Sequence, residues 1–250
     1  MSRALGNRPE TADGPGLFLT TQWTLVLRGR DAQSPDGRAA LAALCECYWY
    51  PLYVHIRRRV RSAEDAADLT QGFFAHLLES NLFASVAPCS GKLRAYLLAC
   101  CNHFLANEWD RAAAQKRGGG RTPLSIDFAA AESRYTTEPV DRLGPDRLYE
   151  RRWALTLLDE ALTALERDYD SAGRGELFRL LKPALVAADE VQQHATIAAT
   201  LGTSVPAVKK AAQRLRTRYG QRLRELVAAT VGGPGDVDEE LRDLFAAVAR

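Results

Sequence analysis

The sequence predicts an all-α fold of two small helical domains joined by a linker, the second containing a helix-turn-helix. Apolar residues recur at three- and four-residue steps along nearly the whole chain, no segment shows convincing strand alternation, and glycine and proline gather at a few points. With 46% hydrophobic residues over 250 positions, there is enough apolar material to fold without disulfide or metal staples.

Residues 1–16 hold Gly, Pro, Asn and charges around no apolar core, so they read as a disordered lead-in rather than a signal peptide. The first domain is expected over 17–117. Leu41, Leu44, Tyr48, Leu52, Ile56 and Val60 share one helical stripe, interrupted by Pro51, which predicts either two packed helices or one bent helix. Ser62 stands as an N-cap, Glu64 and Asp65 favour the first turn, and a helix is predicted to about Ser80. Its core face is Ala66, Leu69, Phe73 and Leu77, which leaves Asp65, Asp68, Gln71 and Glu79 on the other side. A third helix begins near Gly91 and turns Leu93, Leu97, Cys101, Phe104 and Leu105 inward and Tyr96, His103, Asn107 and Arg111 outward, before the basic segment 114–121.

Residues 118–146, with G-G-G-R-T-P, E-P and L-G-P, predict an interdomain linker. The second domain is expected over 147–231, with amphipathic helices at roughly 147–168 and 174–188. From Thr196 the chain reads T-I-A-A-T-L-G-T-S-V-P-A-V-K-K-A-A-Q-R-L-R. Gly202 suits the left-handed conformation of a tight turn, Ser204 caps a second helix, and Pro206 falls in the first turn, where its missing N–H costs little. Ile197, Leu201, Val208, Ala211 and Leu215 form the shared seam of a helix-turn-helix. Beyond G-G-P-G, the extension 232–250 carries Val237, Leu241, Leu244, Phe245 and Val248 on one stripe; either the second domain or a regulatory partner would cover it.

Net charge is only +2, from 33 basic and 31 acidic residues, so distribution is the informative quantity. Between Val191 and Arg224 no residue is acidic, while Lys209, Lys210, Arg214, Arg216, Arg218, Arg222 and Arg224 are basic. With the seam turned inward, Pro206, Lys209, Lys210, Gln213, Arg214 and Thr217 lie outward, where Gln and Arg read base edges and Lys holds phosphate. Tyr96, His103 and Trp109, beside Arg94, Arg111, Lys116 and Arg117, suit unstacked bases and their backbone, although aromatics at helical spacing more often build a core. The Asp65, Asp68 and Gln71 face, taken alone, reads as wet surface. Five cysteines, at Cys45, Cys47, Cys89, Cys100 and Cys101, form neither C-x-x-C pairs nor an even framework, which fits a reducing cytoplasm. No apolar run approaches a membrane span.

The segment D-A-A-D-L-T-Q-G-F-F at 65–74 resembles the D-x-x-D-L-x-Q-x-x-F signature of extracytoplasmic-function (ECF) sigma factors, carried by Asp65, Asp68, Leu69, Gln71 and Phe74. In that family this helix docks on core RNA polymerase. L-R-A-Y-L-L-A-C-C-N-H-F-L-A-N-E-W-D-R at 93–111 is similar to the promoter-melting region, and 196–216 to the helix-turn-helix that reads the upstream element. Similarity covers roughly residues 20–117 and 150–224. The resemblance implies a cofactor-free transcription initiation factor with no catalytic site. Its partners would be core RNA polymerase, double-stranded and locally melted promoter DNA, and an anti-sigma or other regulatory protein. Downstream contacts would fall to Arg94, Tyr96, His103, Asn107, Arg111, Lys116 and Arg117. Upstream contacts would fall to Ser204, Pro206, Lys209, Lys210, Gln213, Arg214 and Thr217. His103 and Asn107 replace the commoner Asn and Asp, and Pro206-Ala207 the usual Gly-Thr, so relatives do not supply the promoter sequence. Two other classes stay open. A metal-dependent nucleic-acid enzyme would use Asp65, Asp68, Glu108 and Asp110, although no further ligand is placed by sequence to complete the site. A helix-turn-helix regulator that never touches polymerase leaves the 65–74 helix without a role.

Overall fold

The computed structural model describes residues 35–79, 91–114, 127–137, 143–185 and 190–249. These fold as α1 (Pro35–Arg57), α2 (Ala63–Glu79), α3 (Leu93–Ala114), α4 (Phe128–Thr137), α5 (Pro145–Ser171), α6 (Gly175–Leu181), α7 (Glu190–Thr200), α8 (Val205–Ala228) and α9 (Val237–Val248). Short 3-10 turns follow α6 (Lys182–Leu185) and precede α9 (Pro234–Asp236). The described residues contain no strand, and none of their helices is long and apolar enough to cross a membrane. The expected lead-in over 1–16 lies outside the described residues.

Of the two arrangements open for the first stripe, the protein adopts the single helix: α1 runs through Pro51 without a break. Leu44, Tyr48, Leu52 and Ile56 are buried along it; the side chain of Leu41 lies outside the described residues. Ser62 caps α2 as expected, its Oγ accepting from the Asp65 N–H at 3.0 Å. Leu93, Leu97, Cys101, Phe104 and Leu105 of α3 are all buried.

The hydrophobic residues form two clusters, and the border between them does not fall at 118–146. The larger cluster takes residues from α1, α2 and α3, Ala131 of α4, the first half of α5 (Leu148, Tyr149, Trp153, Leu157), the end of α8 (Leu223, Val227), and Val237 and Leu244 of α9. The smaller takes Leu165 and Tyr169 from the end of α5, Phe178 and Leu181 of α6, Ile197 of α7, and Val208, Ala212 and Leu215 of α8. Two continuous helices, α5 with 27 residues and α8 with 24, therefore serve both cores. Full burial of each large apolar side chain is worth about 1.5–3 kcal/mol, which Trp153, Tyr48 and Tyr149 supply on the helices that join at the larger core.

Within the span expected to be a linker, residues 128–137 form α4, while 118–126 and 138–142 lie outside the described residues. Phe128 packs edge-on to Trp49 at 6.3 Å, and Arg57 of α1 forks onto Glu132, with Nη2 to Oε1 at 3.0 Å and Nε to Oε2 at 3.0 Å. The paired guanidinium holds the Glu132 carboxyl below the usual carboxylate range. The extension also finds its surface inside the chain. Val237 and Leu244 are buried, Leu241 and Val248 pack against the larger core, and Phe245, on the flank, is 54% exposed.

Candidate nucleic-acid interface

The helix-turn-helix is built by backbone geometry. At the end of α7 the Thr203 N–H reaches the Ala198 carbonyl at 2.9 Å and the Gly202 N–H reaches that of Ala199 at 3.3 Å, with Gly202 at φ 59°. This pair of bonds is the Schellman closure, which needs a left-handed residue where glycine alone avoids a Cβ penalty. Ser204 then caps α8, its Oγ accepting from the Ala207 N–H at 3.4 Å, with Pro206 in the first turn. Val208, Ala212 and Leu215 point into the smaller core, while Ala211 is only half-buried.

The opposite face is open as the sequence predicts. Ser204, Pro206, Lys209, Lys210, Gln213, Arg214 and Thr217 are all exposed. Thr217 Oγ1 donates back to the Gln213 backbone carbonyl at 3.1 Å. Further along α8 the positive run is partly neutralised: Arg222 pairs with Asp168 at 3.0 Å and Glu225 at 3.1 Å, and Arg224 with Asp238 at 2.7 Å. The cationic surface thus concentrates on the first half of α8.

On α3 the expected set divides. His103, Asn107 and Arg111 lie exposed along one line, with Arg111 bonded to Glu108 at 2.9 Å and Trp109 45% exposed to one side. Tyr96 is half-buried and its hydroxyl, bonded to the Cys100 thiol, is pushed upward in pKa mainly by burial. Arg94 departs from expectation: it is 6% exposed. At about 100° per residue it sits about 180° around the helix from His103, on the side that faces the core. Its Nε donates to Glu240 at 2.6 Å, Nη1 to Glu150 at 2.9 Å and Nη2 to Asp243 at 3.0 Å, and its guanidinium stacks 4.8 Å over Trp153. Lys116 and Arg117 lie outside the described residues.

On α2, Asp65 and Asp68 are exposed with Glu64, Gln71 is intermediate, and Leu69 packs against the larger core. Phe74 corrects the expectation that it touches a partner: it is 1% exposed, with its ring 5.6 Å from that of Phe73. Its place is on the core flank, where it fixes the helix that presents Asp65 and Asp68. The Glu79 side chain lies outside the described residues. Asp65 and Asp68 face water, and among the described residues no group of three or more His, Cys, Asp or Glu is placed to hold a metal ion. Of the cysteines, Cys101 is buried and pushed up to about 12 by that burial, Cys45, Cys47 and Cys100 are half-buried, and Cys89 lies outside the described residues.

Sequence reasoning missed Lys92, which stands immediately before α3 and lies within bonding reach of Glu239 at 2.8 Å, Glu240 at 3.4 Å and Asp243. Burial pulls on its charge, but the bonds it donates to Asp243 and Glu239 outweigh it and hold the ammonium above its ordinary pKa. The signal was present as a complementary pair of segments, G-K-L-R at 91–94 and D-V-D-E-E-L at 236–241. No family model matches this chain, and neither does any curated protein or solved structure.

Proposed function

We infer that this chain is a bacterial transcription initiation factor of the ECF sigma type, working in the cytoplasm by binding alone, without a catalytic site or cofactor. The exposed acidic edge of α2, with Asp65 and Asp68, would meet core RNA polymerase; α3, through His103, Asn107 and Arg111, would hold the melted downstream strand. The first half of α8 would enter the major groove of the upstream element. The observation that carries the reading is the capped, outward face of Lys209, Lys210, Gln213, Arg214 and Thr217 directly after the tight turn at Gly202. Phosphate contacts make such binding fall with rising salt. A regulatory protein of the anti-sigma kind is a natural further partner for an initiation factor.

Lys210→Ala with Arg214→Ala is expected to weaken binding to an upstream promoter duplex by about tenfold or more in a gel shift, while co-purification with core polymerase persists. Unchanged duplex affinity would count against the assignment. A polymerase-independent helix-turn-helix regulator is favoured by one observation, the withdrawal of Phe74 and Arg94 from the surface. Mixing the protein with core polymerase and sequencing the transcripts initiated on genomic DNA separates the two readings.

A further inference from the structure

Two cations at the start of α3, Lys92 and Arg94, are surrounded by four carboxylates: Glu150 of α5, and Glu239, Glu240 and Asp243 of α9. Structural neutralisation needs one carboxylate per cation, and the site carries twice that. Every ion-pairing nitrogen of Arg94 is directed at a carboxylate oxygen, the arrangement a guanidinium also offers to phosphodiester oxygens. The site lies at the N-terminal end of a 22-residue helix, whose dipole favours an anion. α9 hangs from Gly232-Gly233-Pro234-Gly235, a sequence suited to a hinge.

We propose that α9 is an intramolecular competitor for nucleic acid: its carboxylates occupy Lys92, which lies on the His103 side of α3, in place of a DNA backbone, and Arg94 anchors them from the core side, so that α3 takes a melted strand fully only when α9 leaves. The inference rests on the reading of α3 as a strand-binding helix. It goes beyond that reading by assigning the C-terminal extension a regulatory role. Release also removes the Arg224–Asp238 pair that ties α9 to the end of α8.

The test uses the full chain carrying K209A, K210A and R214A, so that affinity for a labelled single-stranded oligonucleotide of mixed sequence reports on α3. Adding E239Q and D243N, both at partly exposed positions, is expected to tighten binding about three- to tenfold at about 0.1 M salt and to steepen its salt dependence. K92A on top of these reverses part of the gain. On the unmutated chain, saturating oligonucleotide is expected to speed amide exchange over 237–248. Equal affinity of the two proteins, with exchange in α9 unchanged by the oligonucleotide, overturns the proposal while leaving strand binding intact. Absence of oligonucleotide binding by every variant overturns the α3 reading, and the proposal with it.

Discussion

His55 is fully buried on α1, with Nε2 2.8 Å from Asn102 Oδ1, Arg59 bonded to the same ring nitrogen and to Asn102, and Nδ1 3.6 Å from Asp146. The Tyr149 ring stands 6.1 Å away. Burial, and then the Arg59 charge, lower its pKa below the ordinary 6.5. The unfolded chain therefore takes up this proton before the folded one does. The contribution to stability is complete above pH 6.5 and is lost as pH falls through 6.5 toward the lower folded value. Urea unfolding of the unmutated chain is expected to lose stability below about pH 6.5, by no more than about 1.4 kcal/mol per pH unit from this group, and His55→Asn to flatten that part of the profile. An unaltered profile in the variant would show that another group titrates. Residue type alone does not reveal such environments. Arg94 looks like a phosphate ligand by type, and only its angular position among Leu97, Cys101 and Leu105 marks it as inward, while its partner Glu240 lies 146 residues away.

At the scale of elements, the helix-turn-helix was legible because each part is specified locally: a glycine for the left-handed turn, a serine for the cap, a proline in the first turn and an apolar seam. Gly202→Val forces a β-branched residue to φ 59° and is expected to cost about 1–2 kcal/mol or more, read as a lower urea midpoint together with weaker duplex binding. A Cβ at this position meets no neighbour within 4 Å, so the penalty comes from the backbone and Gly202→Asn should recover much of it. α4 was hidden for the opposite reason. Glycines and prolines flank it, only Ala131 is fully buried, and its attachment to α1 through Arg57, Tyr53 and Glu132 spans 75 to 79 residues. The extent of α1 through Pro51 was also beyond the sequence, since the buried packing of Leu52, Tyr53 and Ile56 outweighs one missing backbone bond.

For the whole molecule, sequence periodicity gave the inward faces of α1, α2, α3 and α8 but not which helices share a core, because a stripe shows that a face is buried without naming its partner. Leu244 of the C-terminal helix is completely buried in the same cluster as Tyr48 and Leu52 of α1. Leu244→Ala is expected to cost about 2–5 kcal/mol and to raise amide exchange in α1 as well as α9. Fraying confined to 237–248 would mean the two ends fold independently. The shared helices also give the protein a mechanical property. α5 is about 40 Å long, anchored at one end by Tyr149 and Trp153 and carrying the turn-helix unit at the other through Leu165 and Tyr169. Over such a length a tilt of about 10° at the anchored end would swing the far end by about 7 Å, the rise of about two base pairs along a duplex. If the first half of α8 enters a groove as proposed, a small tilt near the first core would change which step of that groove the second one meets.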